Sequence, residues 1–222
     1  MKSVLILLGA PGSGKGTQAK RLAASASLPH VSTGDLFREN IADETELGRK
    51  AKDFMNRGEL VPDGLVLDML FDRVARADCE KGYILDGFPR TLPQAEALQS
   101  KLGPGVEPRA LQLLVPDDVI VERASGRLLC KNCGNIHHKS FKPPKTEGVC
   151  DACGEAALYQ REDDAPDVVR ERLKVYVKQT APLARFYEEL GLLVNVNGDR
   201  TPDEVYRELE SVVLNGANGG GR

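Results

Sequence analysis

The stretch Gly9-Ala10-Pro11-Gly12-Ser13-Gly14-Lys15-Gly16-Thr17 decides how the rest of the chain is interpreted. It follows the apolar run Val4–Leu8, which predicts a strand buried on both faces, and it leads into a helix pattern from Gln18. Glycines let backbone N–H groups turn inward, a helix N-terminus adds partial positive charge, and the lysine brings a full charge to the outer phosphates. A turn that merely joins strand to helix would not require this lysine. The stretch predicts a phosphate-binding loop whose contacts are Gly12, Ser13, Gly14, Lys15, Gly16 and Thr17.

The loop departs from the usual pattern at one position. A Ser or Thr hydroxyl that binds magnesium normally follows the lysine, whereas here Gly16 follows it and the hydroxyl comes at Thr17. The metal is therefore expected to have fewer direct protein ligands and to need a separate carboxylate. Asp86 ends the buried strand pattern Tyr83–Leu85, and open α/β sheets bind ligands at the carboxyl ends of their strands. Asp86 is the predicted magnesium partner, although such an Asp by itself is more often a turn residue.

The composition excludes several functional classes. The 222 residues carry 30 basic and 33 acidic side chains, a formal charge of −3, which is not the electrostatic signature of a duplex nucleic-acid binder. The apolar run Val4–Leu8 is too short for a secretion signal and continues directly into the glycine loop. No apolar run approaches the ~20 residues of a membrane helix. We expect a soluble, cytoplasmic protein without a membrane or nucleic-acid partner.

Apolar or β-rich runs alternate with helical stretches along the chain. They lie at Val4–Leu8, near Leu28–Val31, and at Tyr83–Leu85, Ala110–Val115 and Leu192–Val196. This alternation predicts an α/β fold with a parallel sheet covered by helices on both faces. Residues 32–61 fit it poorly, as short charged helices without a strand, and so do residues 126–163, which look loop-like. Both segments are expected to protrude from the sheet and to move over a ligand.

Two helices near the C-terminus have clear signals. The last begins with Thr201 as N-cap, Pro202 in the first turn and Glu204 three residues after the cap. A long helix is predicted from Pro166, with Val169, Leu173, Tyr176 and Val177 on one face. The glycine-rich end, residues 215–222, predicts a frayed tail.

The pairs Cys130-x2-Cys133 and Cys150-x2-Cys153 each precede a glycine, which allows the tight turn that a pair of thiolates needs. Four thiolates predict a closed, tetrahedral, structural zinc site, and disulfides are the competing interpretation. The histidines between the pairs, His137 and His138, are not needed as ligands. Cys79 stands apart and is interpreted as a buried, inert thiol.

Several motifs together resemble the adenylate kinase family. These are the glycine loop, Ser32-Thr33-Gly34-Asp35, Asp86-Gly87-Phe88-Pro89-Arg90-Thr91 with Gln94, Arg161-Glu162-Asp163-Asp164 and Thr180-Ala181-Pro182-Leu183. The resemblance runs nearly end to end. It implies reversible phosphoryl transfer from ATP to AMP with Mg²⁺, giving two ADP, by a P-loop three-layer fold with a five-stranded parallel sheet. It also implies a core (1–31, 62–125 and 164–222), an AMP-binding segment (32–61) and a zinc-binding lid (126–163), in a protein expected to be a monomer.

The resemblance also implies roles for individual residues. The catalytic positions are Lys15, Asp86, Arg90, Arg127, Arg161 and Arg172. The AMP-binding positions are Thr33, Arg38, Glu59, Leu60, Val61, Gly87, Phe88, Pro89, Arg90, Gln94, Arg161 and Arg172. Besides the glycine loop, the ATP-binding positions are Arg127, Ile136, His137 and Arg200. Guanidinium groups suit phosphates because they bind them bidentately, although a single arginine is more often a surface ion pair.

Other interpretations remain open at this point. Thr33 can also cap a helix beside Asp35, and this role and AMP binding can hold together. Asp163 and Asp164 can complement a helix N-terminus, whereas the resemblance implies that they restrain the lid arginines. The four cysteines also suit a zinc-ribbon nucleic-acid binder that uses ATP as a switch, although the charge and the absence of Trp argue against it. A kinase for UMP or CMP is the nearer alternative.

Overall fold

The computed structural model describes residues 2–104, 106 and 108–217 of the chain. The strands are β1 Ser3–Leu8, β2 His30–Ser32, β3 Gly82–Asp86, β4 Pro108–Leu114, β5 Arg127–Cys130, β6 Ile136–His138, β7 Leu158–Tyr159 and β8 Leu193–Asn197. Five of them form a parallel sheet in the order β2-β3-β1-β4-β8. All five strands predicted for this sheet are confirmed, each within two residues at either end.

Helices connect these strands. They are α1 Lys15–Ala26, α2 Thr33–Ala42, α3 Glu46–Arg57, α4 Asp63–Val74, α5 Leu92–Lys101, α6 Asp117–Ser125, α7 Pro166–Val175, α8 Leu183–Glu189 and α9 Pro202–Ala217. Short 3₁₀ turns lie at Ala77–Cys79 and Glu162–Asp164, and a π-helical turn follows α7 at Tyr176–Thr180. Helices alternate with parallel strands because parallel neighbours need a crossover connection, so the predicted α/β class is confirmed.

The central strand β1 is buried from Val4 to Leu8 because helices cover both faces of the sheet. Val4, Ile6 and Leu8 pack into one core layer, with apolar side chains of α4, α5 and α8. Leu5 and Leu7 pack into the opposite layer, with side chains of α1 and α9. Successive side chains of a strand point to opposite faces, so an unbroken apolar run supplies both layers.

Helices α2 and α3 form the segment after β2. Ser32 caps α2, because its Oγ accepts from Asp35 N at 3.2 Å, and Thr45 caps α3 by accepting from Gly48 N at 3.0 Å. The interpretation of Thr33 as the cap is therefore wrong by one residue. Thr33 is the first residue of the helix, and its hydroxyl is free to donate to Gly87 O at 2.8 Å.

Residues 126–163 are more regular than the expected loop. The short strands β5, β6 and β7 pair antiparallel in the order β6-β5-β7. Strands of two to four residues leave only a faint alternation in the sequence, because glycines, prolines and cysteine turns interrupt it. The sheet holds the two cysteine pairs at its end.

The helix predicted from Pro166 begins there, but its last apolar position is wrong. Val169 and Leu173 are buried, whereas Val177 is 59% exposed. After Val175 the chain widens into the π-helical turn, which changes the rotation per residue and carries Val177 off the buried face.

The last helix starts as predicted, since Thr201 N donates to Glu204 Oε2 at 3.0 Å and Glu204 N donates to Thr201 Oγ1. It extends to Ala217, three residues into the stretch predicted to fray, and residues 218–222 lie outside the described part. Within the described ranges, every helix is too short or too polar to cross a membrane.

Candidate functional site

A cavity of about 1080 Å³ lies at the carboxyl edge of the parallel sheet. The glycine loop lines it, together with the end of β3, residues of the small antiparallel sheet and the beginning of α9. Most predicted site residues meet here: the loop residues 12–17, Arg38, Leu60, Asp86, Gly87, Pro89, Arg90, Arg127, Ile136, His137, Arg161, Arg172 and Arg200. Ligands collect at this edge because each strand delivers its following loop to the same side.

The glycine loop joins β1 to α1 as a tight turn. Gly12 has φ of +86°, and a Cβ there would lie 2.8 Å from Ile120 O, so a side chain does not fit. Lys15 Nζ donates to Gly9 O and Ala10 O at 2.7 Å each and lies 3.4 Å from Ser13 Oγ. Burial lowers the pKa of Lys15 to about 7, with Arg90, Arg172 and Arg127 acting in the same direction against the charge of Asp86. The ammonium is thus poorly compensated and suited to an anion.

Asp86 ends β3 within 3.4 Å of His30 Nε2. Burial alone would raise the pKa of Asp86, but the hydrogen bond with His30 and the charges of Lys15 and His30 outweigh it and hold the pKa below its usual value. The carboxylate therefore stays ionised beside the loop and can orient a cation.

The unusual glycine after Lys15 lies against this carboxylate. A Cβ at Gly16 would be 3.2 Å from Asp86 Oδ2, so a larger residue would press on it. The loop that lacks the usual hydroxyl thus has a carboxylate close to it, and the assistance of this acid to a metal stays a prediction.

Four arginines of the cavity donate hydrogen bonds to carboxylates, namely Arg38, Arg161, Arg172 and Arg127. Arg38 donates to Asp35 Oδ1 at 2.6 Å, and Arg161 donates to the same oxygen at 3.1 Å. Burial raises the pKa of Asp35, but these two arginines outweigh it and lower the pKa below its ordinary value. Arg172 donates to Asp163 Oδ2 at 2.8 Å.

Arg127 and Asp164 form a bidentate ion pair, in which Arg127 Nε donates at 2.8 Å and Nη2 donates to the second oxygen. Asp164 is completely buried. Burial lowers the pKa of Arg127, but the hydrogen bond and charge of Asp164 outweigh it and raise the pKa overall. In this conformation Asp163 therefore holds Arg172 and Asp164 holds Arg127.

Arg90 has no carboxylate hydrogen bond among the described residues. Its Nε donates to Gly87 O at 2.8 Å, and Thr180 Oγ1 donates to its carbonyl at the same distance. Burial, followed by the nearby Arg172, lowers the pKa of Arg90 to about 10. Arg90 lines the large cavity, and its two terminal nitrogens have no hydrogen bond among the described residues.

A smaller cavity of about 50 Å³ opens beside Arg90 and Gly87. The predicted AMP-binding residues Thr33, Glu59, Leu60, Val61 and Gln94 line it. Phe88 lines neither cavity, because its side chain is fully buried in the core layer under β3. Its predicted contact with AMP is therefore not available to the ring in this conformation.

The side chains at two predicted ATP-binding positions, His137 and Arg200, contact other parts of the protein, although for Arg200 the resemblance implies a contact through its backbone. The ring of His137 is buried, with Nε2 3.0 Å from Asn135 Nδ2 and Nδ1 4.0 Å from Asp151 Oδ2, so it is not free to stack on a base. Arg200 pairs with Glu208 and donates to Asn197 O at 3.2 Å. Arg200 and Ile136 both line the large cavity.

The four cysteines converge at one end of the small sheet. Sγ–Sγ distances are 3.6 Å for Cys130–Cys153 and for Cys133–Cys150, and all four sulfurs lie within 4.8 Å of one another. A tetrahedral zinc ion with Zn–S bonds of 2.3 Å spaces its sulfurs about 3.8 Å apart, so the donor set fits that metal. Each pair forms the same turn, closed by Gly134 N to Cys130 O and Gly154 N to Cys150 O. None of the four is in a disulfide.

Several side chains that support the site have no role predictable from the sequence pattern. Asp35 holds two arginines, His30 contacts Asp86, and Asp63 contacts Gln94. Of these three residues, only Asp35 belongs to one of the sequence motifs named above, Ser32-Thr33-Gly34-Asp35. The contacts of His30 and Asp63 join residues far apart in the chain, and no local pattern encodes them.

The site has the features of a P-loop phosphotransferase. These are the glycine loop with its lysine, the acid at the end of the neighbouring strand and the converging arginines. The model of the family described as "Adenylate kinase" matches residues 7–192. The chain therefore belongs to the adenylate kinase family.

Curated relatives agree over almost the whole chain. It is similar to "Adenylate kinase" of Lachnospira eligens, with 52% identity over 94% of this chain and 99% of that protein. The protein of the same name from Caldicellulosiruptor bescii is 51% identical over 92% of this chain and 96% of its own. The one from Methanosarcina barkeri is 48% identical over 94% of this chain and 97% of its own.

Proposed function

We propose that this chain catalyses the reversible transfer of a phosphoryl group from ATP to AMP, giving two ADP, and that Mg²⁺ accompanies ATP. The observation that carries this function is that Lys15, Asp86 and the arginines line one cavity in a chain of this family. Phosphoryl transfer needs alignment and positive charge on the equatorial oxygens rather than covalent assistance.

The glycine loop binds the phosphates of ATP through backbone N–H groups and the N-terminus of α1. Lys15 leaves the carbonyls of Gly9 and Ala10 and meets the outer phosphates. Asp86 orients the magnesium that ATP brings. The AMP phosphate is already an anion, so no general base is required.

The arginines clamp the two reacting phosphates from opposite sides. Arg38 and Arg90 bind the AMP phosphate, Arg127 binds ATP, and Arg161 and Arg172 lie between them. What supports these roles is that all five line the same cavity, together with unused donors on Arg90 and an unpaired, buried Nε on Arg161 among the described residues. Positive groups fixed before the reaction lower its barrier without reorganisation.

The smaller cavity takes the base of AMP. Thr33, Glu59, Leu60 and Val61 form its wall, and the amide of Gln94 reads the edge of the adenine. This role of Gln94 is supported by its burial at the cavity and by the match to the family motif.

Residues 126–163 act as a lid that excludes water, which would otherwise hydrolyse ATP. Structural zinc on Cys130, Cys133, Cys150 and Cys153 supplies the folding energy that so small a sheet lacks. Lys20 Nζ donates to Gly134 O at 3.2 Å, which joins the cysteine turn to α1. We further propose a cytoplasmic monomer.

One assay tests the proposal. Purified protein with ATP, Mg²⁺ and either AMP, UMP or CMP should form ADP with AMP at a much higher kcat/KM than with the pyrimidines. Lys15→Ala should lose several kcal/mol of transition-state stabilisation, the scale of a lost charge clamp. No diphosphate from ATP and AMP would refute the activity, and near-normal turnover of the variant would refute the role of Lys15.

A further inference from the structure

The carboxylate of Asp63, the first residue of α4, binds two side chains of the loop and helix beside the small cavity. Its Oδ1 accepts from Gln94 Nε2 at 2.6 Å, and its Oδ2 accepts from Thr91 Oγ1 at 3.0 Å. Thr91 Oγ1 in turn caps α5 by accepting from Gln94 N at 3.3 Å. Asp63 lies outside the lining of both cavities, so it acts on a ligand only through these neighbours.

The other end of the Gln94 amide is also held. Gln94 Oε1 accepts from the backbone N–H of Arg90 at 2.8 Å. A backbone N–H can only donate and a carboxylate can only accept, so the two partners together fix which end of the amide is oxygen and which is nitrogen. A rotation of the amide by 180° would set oxygen against the Asp63 carboxylate and nitrogen against the Arg90 N–H.

One N–H and one oxygen lone pair of the buried amide are left after these bonds, counting partners among the described residues. With the amide fixed, the N–H is offered on the Asp63 side and the lone pair on the Arg90 side. A 6-aminopurine presents a ring nitrogen that accepts and an amino group that donates, which matches this pair of groups. A 6-oxopurine presents a carbonyl that accepts and a ring N–H that donates, in the reverse order.

We propose that Asp63 is a positioning residue that makes the nucleoside monophosphate site select 6-aminopurines over 6-oxopurines, by holding the Gln94 amide in one orientation. This inference rests on the proposed function, in which Gln94 reads the base of AMP. Binding a 6-oxopurine requires either two mismatched contacts or a flipped amide that opposes both Asp63 and Arg90. Unmatched polar groups in a buried site are the strongest basis for rejecting a substrate analogue.

The test compares AMP with IMP, which differ only at position 6 and in the proton on the ring nitrogen next to it. Asp63→Leu removes both acceptors while keeping the same number of branched heavy atoms, and Asp63→Glu keeps a carboxylate that can only accept. The measured quantity is the ratio of kcat/KM for AMP to that for IMP, with ATP as donor and the diphosphates separated by chromatography.

We expect the wild-type ratio to fall about tenfold in Asp63→Leu, because only the Arg90 N–H then opposes a turned amide, and to be largely restored in Asp63→Glu, whose carboxylate can only accept. Thr91→Val is the matched control, since it breaks the other bond of Asp63 and the cap of α5 but leaves the Gln94 contact. Its ratio should stay at the wild-type value even if the variant is less stable.

The outcomes separate the two proposals. If Asp63→Leu raises KM for both monophosphates equally and the ratio is unchanged, Asp63 is only structural and the inference is wrong, while the kinase activity stands. If the wild-type protein does not phosphorylate AMP, the proposed function fails first. Should Asp63→Leu not fold, Asp63→Ser replaces it, because a hydroxyl that both donates and accepts no longer dictates the amide orientation, and an unchanged ratio there overturns the inference.

Discussion

Replacing Arg127 by Met should destabilise the protein because the change leaves Asp164 buried without its bidentate partner. Asp164 has no exposed surface, whereas the side chain of Arg127 keeps 21%. Removing one member of a buried ion pair costs about 3–5 kcal/mol. Arg172 Nη1 lies 3.8 Å from Asp164 and supplies part of the lost charge, so we expect the lower end, about 3 kcal/mol. For a chain of this length that corresponds to a fall in Tm of about 6–12 °C.

The opposite deletion should cost less. Asp164→Asn leaves Arg127 able to reach solvent, and a neutral amide can still accept one of its hydrogen bonds. The double variant Arg127→Met with Asp164→Leu should recover much of the stability lost in Arg127→Met, because no uncompensated charge remains buried. This order of stabilities among the three variants distinguishes the cost of a buried, unpaired carboxylate from a simple loss of contacts.

The assay measures the Tm of each variant by calorimetry, at neutral pH and without nucleotide. Arg170→Met is the control, because Arg170 pairs with Asp167 at the same 2.8 Å but both side chains are mostly exposed. Such pairs contribute little, so its Tm should remain close to wild type. If Arg127→Met melts no lower than Arg170→Met, or the double variant is the least stable, the reasoning about Asp164 is wrong.

Two further predictions concern the loop lysine and the metal. The pKa of Lys15 of about 7 means that most of this side chain is neutral at pH 8, and phosphates that bind it should raise that pKa. ATP binding at pH 8 should therefore take up about one proton, so the binding enthalpy measured by calorimetry should differ between Tris and HEPES buffers. Lys15→Met should remove this difference, and the control Lys20→Met should keep it. If Lys15→Met shows the same buffer dependence as the wild type, Lys15 is not the group that takes up the proton. Cys130→Ser should lose bound zinc and lower Tm, because three thiolates leave the site open. Cys79→Ser, whose thiol lies outside the cluster, should retain the zinc, and wild-type zinc content and Tm in Cys130→Ser would show that the metal is not structural.

The features predictable from the sequence are those that depend on local pattern. The run Val4–Leu8 had to be a central strand because it is apolar at every position, and the structure buries it on both faces. The Thr201–Glu204 capping box and the cysteine turns are likewise set by residues within a few positions. The resemblance to a family added the arginines, none of which has a local pattern of its own.

The remaining features depend on contacts between distant parts of the chain. The amide orientation of Gln94 requires Asp63, 31 residues away, and Arg127 meets Asp164 37 residues away. The π-helical turn that exposes Val177 has no residue signature comparable to proline or glycine. The burial of His137 follows from the geometry of the cysteine turns, with Asn135 and Asp151 as its neighbours. Periodicity and spacing carry no information on any of these.

The carboxylates among the arginines of the large cavity explain how so basic a cavity can fold. Arg38, Arg161 and Arg172 would repel one another strongly if buried alone, and burial lowers the pKa of Arg161 and Arg172 even with their partners present. Asp35 and Asp163 offset this repulsion and hold the guanidinium groups in defined rotamers. A phosphate that binds here therefore replaces a carboxylate as the partner of an arginine instead of entering an uncompensated cationic cluster. Much of the side-chain entropy of the arginines has already been lost on folding. Because Arg38 and Arg161 share one oxygen of Asp35, a phosphate that takes either arginine competes with the same carboxylate.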